Sequence, residues 1–159
     1  MPDSPTRPTV SVLQDALEPE GWTLDGGVWR LDDEVDPDCV IPEDDPDLDE
    51  WDRRGEALAV ALAVHPHADR VAFRATLVGR VPSRHLGKAA GLVDDAVEPD
   101  DHGGTVTVEG ECVVYERDLG PVGEPNVLRR TVETAALDAA AALVRAARTL
   151  DFFGIYLRP

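Results

Sequence analysis

The stretch ALAVALAVHPHADRVAFRATLVGRV, residues 57–81, decides the fold. In its second half Val71, Phe73, Ala75 and Leu77 alternate with Ala72, Arg74, Thr76 and Val78. Alternation with a period of two marks a strand that buries one face. The first half, Ala57 to His65, is apolar on both sides, so it belongs in the middle of a sheet. Pro66-His67-Ala68-Asp69 between the two halves has the residue types of a turn, and the pair reads as a hairpin.

Beyond this hairpin, Ser83 has the chemistry of an N-cap for a helix running to about Val97. Leu86, Ala89, Ala90, Val93 and Val97 line one side of that helix, and Pro99 closes it. A second hairpin follows, with Thr105 to Val108 and Glu111 to Tyr115 turning at Glu109-Gly110. After Pro125, Asn126 can cap a helix from Val127 to Leu150, about 36 Å long at 1.5 Å per residue. Leu128, Val132, Ala135, Ala139, Ala142, Ala146 and Leu150 form its spaced face, and the many alanines let it approach a sheet closely.

On the other side, Met1 to Pro8 has three prolines and little to bury, and reads as a loose tail. Thr9 is the candidate cap of a first helix in which Val10, Leu13 and Leu17 share a face, and Gly21 ends it. Val28 to Leu31 is a strand, and Trp22 to Leu24 becomes a further arm if the chain folds back across Asp25-Gly26-Gly27. The reading is one α+β domain over residues 9–159: an antiparallel sheet of about five strands with three helices, the long C-terminal helix packed on the sheet. Its 159 residues and 43% apolar content suit a single core.

The chain carries 32 acids and 15 bases, a net charge of -17. Phosphate backbones and anionic lipid should repel it, so neither nucleic acid nor a membrane surface is expected as a partner. From Asp32 to Asp52 there are 12 acids and no base, so most of the acidity belongs to one segment. With Pro37, Pro42 and Pro46 inside it, this segment reads as an acidic loop insertion at 32–54 between two strands. The bases are 14 Arg and one Lys, Lys88, a bias that fits either a high-salt cytoplasm or a GC-rich genome. Cys39 and Cys112 form no CxxC pair, and no apolar run approaches the ~20 residues that span a bilayer. The start lacks the apolar stretch of a signal peptide, and the expected setting is cytoplasmic.

The helix ending in Glu20-Gly21-Trp22 before Val28-Trp29-Arg30-Leu31, and the GTVTVEGECVVYE hairpin after the middle helix, resemble the YbjN family. That family has the fold of type III secretion chaperones, α-β-β-β-α-β-β-α, and the resemblance covers roughly Thr9 to Leu150 in element order and turn placement. The acidic insertion departs from the family's compact pattern. The resemblance implies a non-enzymatic, often dimeric protein that binds other proteins, and it brings no catalytic residues.

Several residue groups are candidates for chemistry. Asp45, Asp47, Asp49 and Glu56 have the spacing of a calcium loop, although Glu50 stands where the sharp turn wants glycine. A solvated acidic loop explains them more simply. His65 and His67 with Asp69 have ligand types for a transition metal, but a third ligand would need His85 or His102 to converge. No P-loop, GxGxxG or nucleophile elbow is present, so neither a cofactor nor an enzymatic activity is expected. Arg129 and Arg130, near Arg80 and Arg84 in a basic patch, form a candidate acid-binding pair; at a helix N-terminus they oppose the macrodipole and need an acidic partner.

Phe152, Phe153, Ile155, Tyr156 and Leu157 crowd the C-terminal end. Each forgoes ~1.5–3 kcal/mol if left in water, so they cover either this chain's own sheet or a partner. Phe152, Phe153 and Tyr156 are the candidate interface of a protein-binding, chaperone-like homodimer. The alternative is a small-ligand binder with a pocket between the long C-terminal helix and the sheet, lined by Trp22, Trp29 and Phe73.

Overall fold

The computed structural model describes residues 7–35, 58–99 and 103–158. In chain order its elements are α1 (Arg7–Leu17), β1 (Thr23–Asp25), β2 (Val28–Val35), β3 (Leu58–His67), β4 (Arg70–Arg80), α2 (Leu86–Ala96), β5 (Thr105–Glu109), β6 (Cys112–Pro121) and α3 (Pro125–Phe152). Short 3-10 turns at Glu18–Glu20 and Ser83–His85 adjoin α1 and α2. All strand pairs are antiparallel, in the spatial order β1-β2-β3-β4-β6-β5. This is the expected α+β architecture with one strand more, because β1 does close on β2 across Gly26 and Gly27. Both glycines have left-handed backbone, φ 58° and 83°, which a two-residue hairpin turn of this kind requires.

The apolar arm β3 lies inside the sheet between β2 and β4. In β4 Val71, Phe73, Ala75 and Leu77 are buried, as the alternation requires, while Ala72, Arg74 and Thr76 are half-buried and Val78 is exposed. The Phe73 ring meets Tyr115 of β6 edge to face at 6.2 Å between centroids. Over this layer lies α3, about 42 Å long for its 28 residues. Leu128, Val132, Ala135, Ala139, Ala146 and Leu150 are buried as expected and Ala142 is half-buried. Leu143, Val144 and Ala147 are buried too, widening the contact stripe.

Several boundaries differ from the sequence reading. Arg7 and Pro8 are already helical, so the tail ends earlier and Thr9 lies buried within α1 rather than at its boundary. Pro8 fits the first turn, where a missing N–H costs nothing. Val10 is exposed; Leu13, Ala16 and Leu17 form the buried face. Strand β2 continues to Val35, so Asp32, Asp33 and Glu34 belong to the sheet, paired with Ala61, Val60 and Ala59, rather than to a loop. The rest of the proposed insertion, from Asp36 to Arg54, lies outside the described residues.

His65 and His67 are strand residues; the hairpin turns at Ala68-Asp69, with Ala68 at φ 55°. Ser83 makes no cap: its hydroxyl donates to Glu111 Oε1 at 3.1 Å. Ala90 is exposed, while Leu86 is half-buried and Ala89, Val93 and Val97 are buried. Helix α3 starts at Pro125 with Glu124, not Asn126, as its flanking residue. No helix among the described residues is long and apolar enough to cross a membrane.

Candidate functional site

The C-terminal end of α3 is built by a glycine turn. Gly154 has φ 76°, its N–H donates to the Asp151 carbonyl at 3.0 Å, and the Ile155 N–H donates to the Leu150 carbonyl at 2.8 Å. This is the Schellman arrangement, and its usual apolar contact follows: Ile155 and Leu150 are both buried. The chain then runs extended. Ile155 points in, Tyr156 out, Leu157 in and Arg158 out, and Arg158 exchanges backbone hydrogen bonds with Arg80 at the end of β4, 2.6 and 2.8 Å. Gly79 admits this strap, since a Cβ there would stand 2.8 Å from Leu157 Cβ.

Ile155 and Leu157 therefore fold back on the chain's own sheet, and the three aromatic residues do not. Phe152, Phe153 and Tyr156 are 62%, 47% and 55% exposed, each a large apolar surface held on an anchored backbone. The two phenylalanine rings meet edge to face at 5.2 Å, and Lys88 Nζ of α2 stands 5.7 Å from the Phe153 centroid. Beside this patch a cleft of about 370 Å³ opens between β4, the start of α2 and the tail, lined by Arg80, Ser83, Arg84, Glu111 and Arg158. The sequence reading grouped Arg80 and Arg84 but missed Arg158, which only the folded-back tail brings to them.

Of the proposed pair, Arg129 finds an acidic partner within the chain, whereas Arg130 does not share it. Arg129 is spent on α1: it donates to the carbonyls of Asp15 and Ala16, both at 3.2 Å, and meets Glu20 at 3.3 Å. Carbonyls at a helix C-terminus and an adjacent carboxylate explain its place structurally. Arg130 is exposed and shares none of these contacts. Asp45, Asp47, Asp49 and Glu56, with Cys39 and His102, lie outside the described residues. Among the described residues no group of three His, Cys, Asp or Glu side chains comes close enough to hold a metal. Cys112 is half-buried in β6.

His65 and His67 line a shallow hollow with Arg74, Glu116 and Asp118. Burial, then the charges of Arg74, Arg30 and His67, hold the His65 imidazole below its ordinary 6.5. Arg70 donates to Asp118 at 2.9 Å and, with the Gly120 N–H, keeps that carboxyl below the usual range. Between its folded value and 6.5, His65 takes up a proton more readily in the unfolded chain. Its contribution to stability is complete above 6.5 and is lost as pH falls through the folded value. Urea midpoints measured across this range should rise with pH, and His65→Gln should flatten the slope; an unchanged slope would rule His65 out as its source.

Trp22, Trp29 and Phe73 are buried core residues; Trp22 borders a small hollow beside α3 with Leu17 and Leu31, and Phe73 borders the hollow of His65. A groove of about 460 Å³ does run between α3 and the sheet, floored by Val35, Val60, Leu62 and Ala75 and walled by Ala139 and Leu143. No family model matches the chain, and no significant match exists among curated proteins or solved structures.

Proposed function

We propose that this chain is a non-enzymatic protein-binding module, chaperone-like and homodimeric, whose contact surface is the aromatic face at the C-terminal end of α3. The observation that carries the reading is the exposure of Phe152, Phe153 and Tyr156 on a backbone anchored by Ile155, Leu157 and Arg158. The Schellman turn holds these rings outward instead of packing them on the sheet. The α+β element order, which apart from the additional strand β1 resembles that of the YbjN family, supports the same class of function. Three half-exposed rings supply on the order of 300 Å², whereas a stable interface takes about 800 Å² from each partner. The contact must therefore extend onto the surface around them.

Light scattering on a sizing column, with wild type beside Phe153→Asp, tests this. The expected result is a wild-type dimer and a folded monomeric mutant. An acidic residue on a half-exposed ring position leaves the core intact, so the fold should survive. A wild-type monomer whose mass and far-UV spectrum the substitution leaves unchanged would sink the dimer.

That outcome would move a second reading ahead, a small-ligand binder using the groove between α3 and the sheet. Its support is the apolar lining, Val35, Val60, Leu62, Ala139 and Leu143, under a rim of Asp33, Glu34 and Glu133. Concave apolar surface with a few polar groups at the mouth is the usual form of a ligand site.

A further inference from the structure

We infer that the cleft beside the aromatic face takes an acidic peptide segment of a protein partner, with carboxylates on Arg80, Arg84 and Arg158 and an adjoining apolar side chain on Phe153 and Tyr156. This rests on the protein-binding reading and names the partner's chemistry; the peptide and a second copy of the chain compete for the same rings.

Acids outnumber bases two to one in this chain, and Arg30, Arg70, Arg74, Arg117 and Arg129 each have a carboxylate partner. Arg80, Arg84 and Arg158 are different. Among the described residues no carboxylate lies within ion-pair distance of any of them. Yet the fold gathers all three from separate elements around one cleft of about 370 Å³. Against these three guanidinium groups the lining sets one carboxylate, Glu111, which accepts from the Ser83 hydroxyl at 3.1 Å, so positive charge remains in excess at the cleft. That excess favours a further anion there. The guanidinium fork matches a carboxylate in two parallel hydrogen bonds.

The cleft and the aromatic face are one surface. Arg84 lies in the 3-10 turn that leads into α2, four residues before Lys88, and Lys88 stands over Phe153. Tyr156 and Arg158 are two residues apart in the extended tail and project to the same side. A compact anion would use the arginines and leave the rings in water, whereas a peptide with acids beside an apolar residue covers both. That distinction favours a peptide.

Fluorescence anisotropy with a labelled peptide of alternating glutamate and phenylalanine, in low-salt buffer, tests the inference. Wild type should bind saturably and weaken with added KCl, because the charges are exposed. Arg84→Glu and Arg158→Glu should each weaken binding by roughly tenfold or more, Phe153→Asp should weaken it as well, and Arg130→Glu at the far end of α3 should not. All are surface positions, and circular dichroism verifies that each variant folds. The inference is overturned if Arg84→Glu binds like wild type, or if Arg130→Glu is equally damaging, which means charge alone. It is overturned too if hexaglutamate binds as well and millimolar phosphate displaces it, which means a compact-anion site. Self-association that salt and Arg84→Glu abolish would make a second copy the occupant, also against the inference. A dimer still broken by Phe153→Asp, with no peptide bound, would retain the aromatic interface and remove only the acidic partner.

Discussion

Phe73→Ala should lower the stability of the domain by about 3–5 kcal/mol, read from urea unfolding midpoints. Phe73 is 1% exposed at the centre of β4, where it touches the Tyr115 ring of β6. Removing the ring takes away its transfer free energy and leaves a cavity, because flanking strands paired on both sides cannot close the gap. A whole domain is stable by only about 5–15 kcal/mol, so the variant should be marginal at room temperature. Pairing the change with Tyr115→Leu in a double-mutant cycle should reveal about 0.5–1.5 kcal/mol of coupling from the edge-to-face contact. A loss below about 1.5 kcal/mol for Phe73→Ala would mean that this ring does not hold the sheet to its helices.

The second large effect concerns a charge inside the packing layer. Arg117 lies on β6 with its side chain 8% exposed, and its guanidinium donates to Asp138 of α3 at 3.0 Å. The pair ties the long helix to the sheet where an all-apolar contact would otherwise be expected. Asp138→Ala leaves a nearly buried cation without that counter-charge, and a loss of about 3 kcal/mol is expected. Arg117→Met should be far milder, within about 1 kcal/mol, because an apolar chain of similar length fills the site and Asp138 still reaches water. The order of the two effects is the test. If Arg117→Met proves the worse, attraction within the pair outweighs its desolvation, and the burial of the cation is not what makes the site costly to disturb.

Much of this fold was legible from local pattern. The alternation in residues 70–80, the doubly apolar arm before it and the 3–4 spaced alanine face of α3 each state which side of an element is buried. Gly21, Gly26, Gly27 and Gly110 marked stops and turns because few other residues tolerate left-handed backbone. Caps were read less well. Thr9, Ser83 and Asn126 all have capping chemistry, yet none serves as the cap expected: Thr9 is buried inside α1, Ser83 serves Glu111, and Pro125 starts α3 two residues early. A short polar side chain has several equivalent uses, and its three-dimensional neighbours choose among them.

The proposed contact surface divides in the same way. Composition alone raised the expectation that five large apolar residues at the C-terminal end cover something, since water would not favour leaving them all exposed. Which of them turn inward was decided by the Gly154 turn and by the room that Gly79 leaves for Leu157. Likewise the sequence by itself determined the element order, the buried faces and the excess of acid, because periodicity and charge are properties of neighbouring residues. Only the tertiary structure committed Arg129 to the end of α1 and gathered Arg80, Arg84 and Arg158 at one cleft. Those groupings join residues as many as 114 positions apart, and no local pattern encodes a meeting that depends on how helices and strands pack.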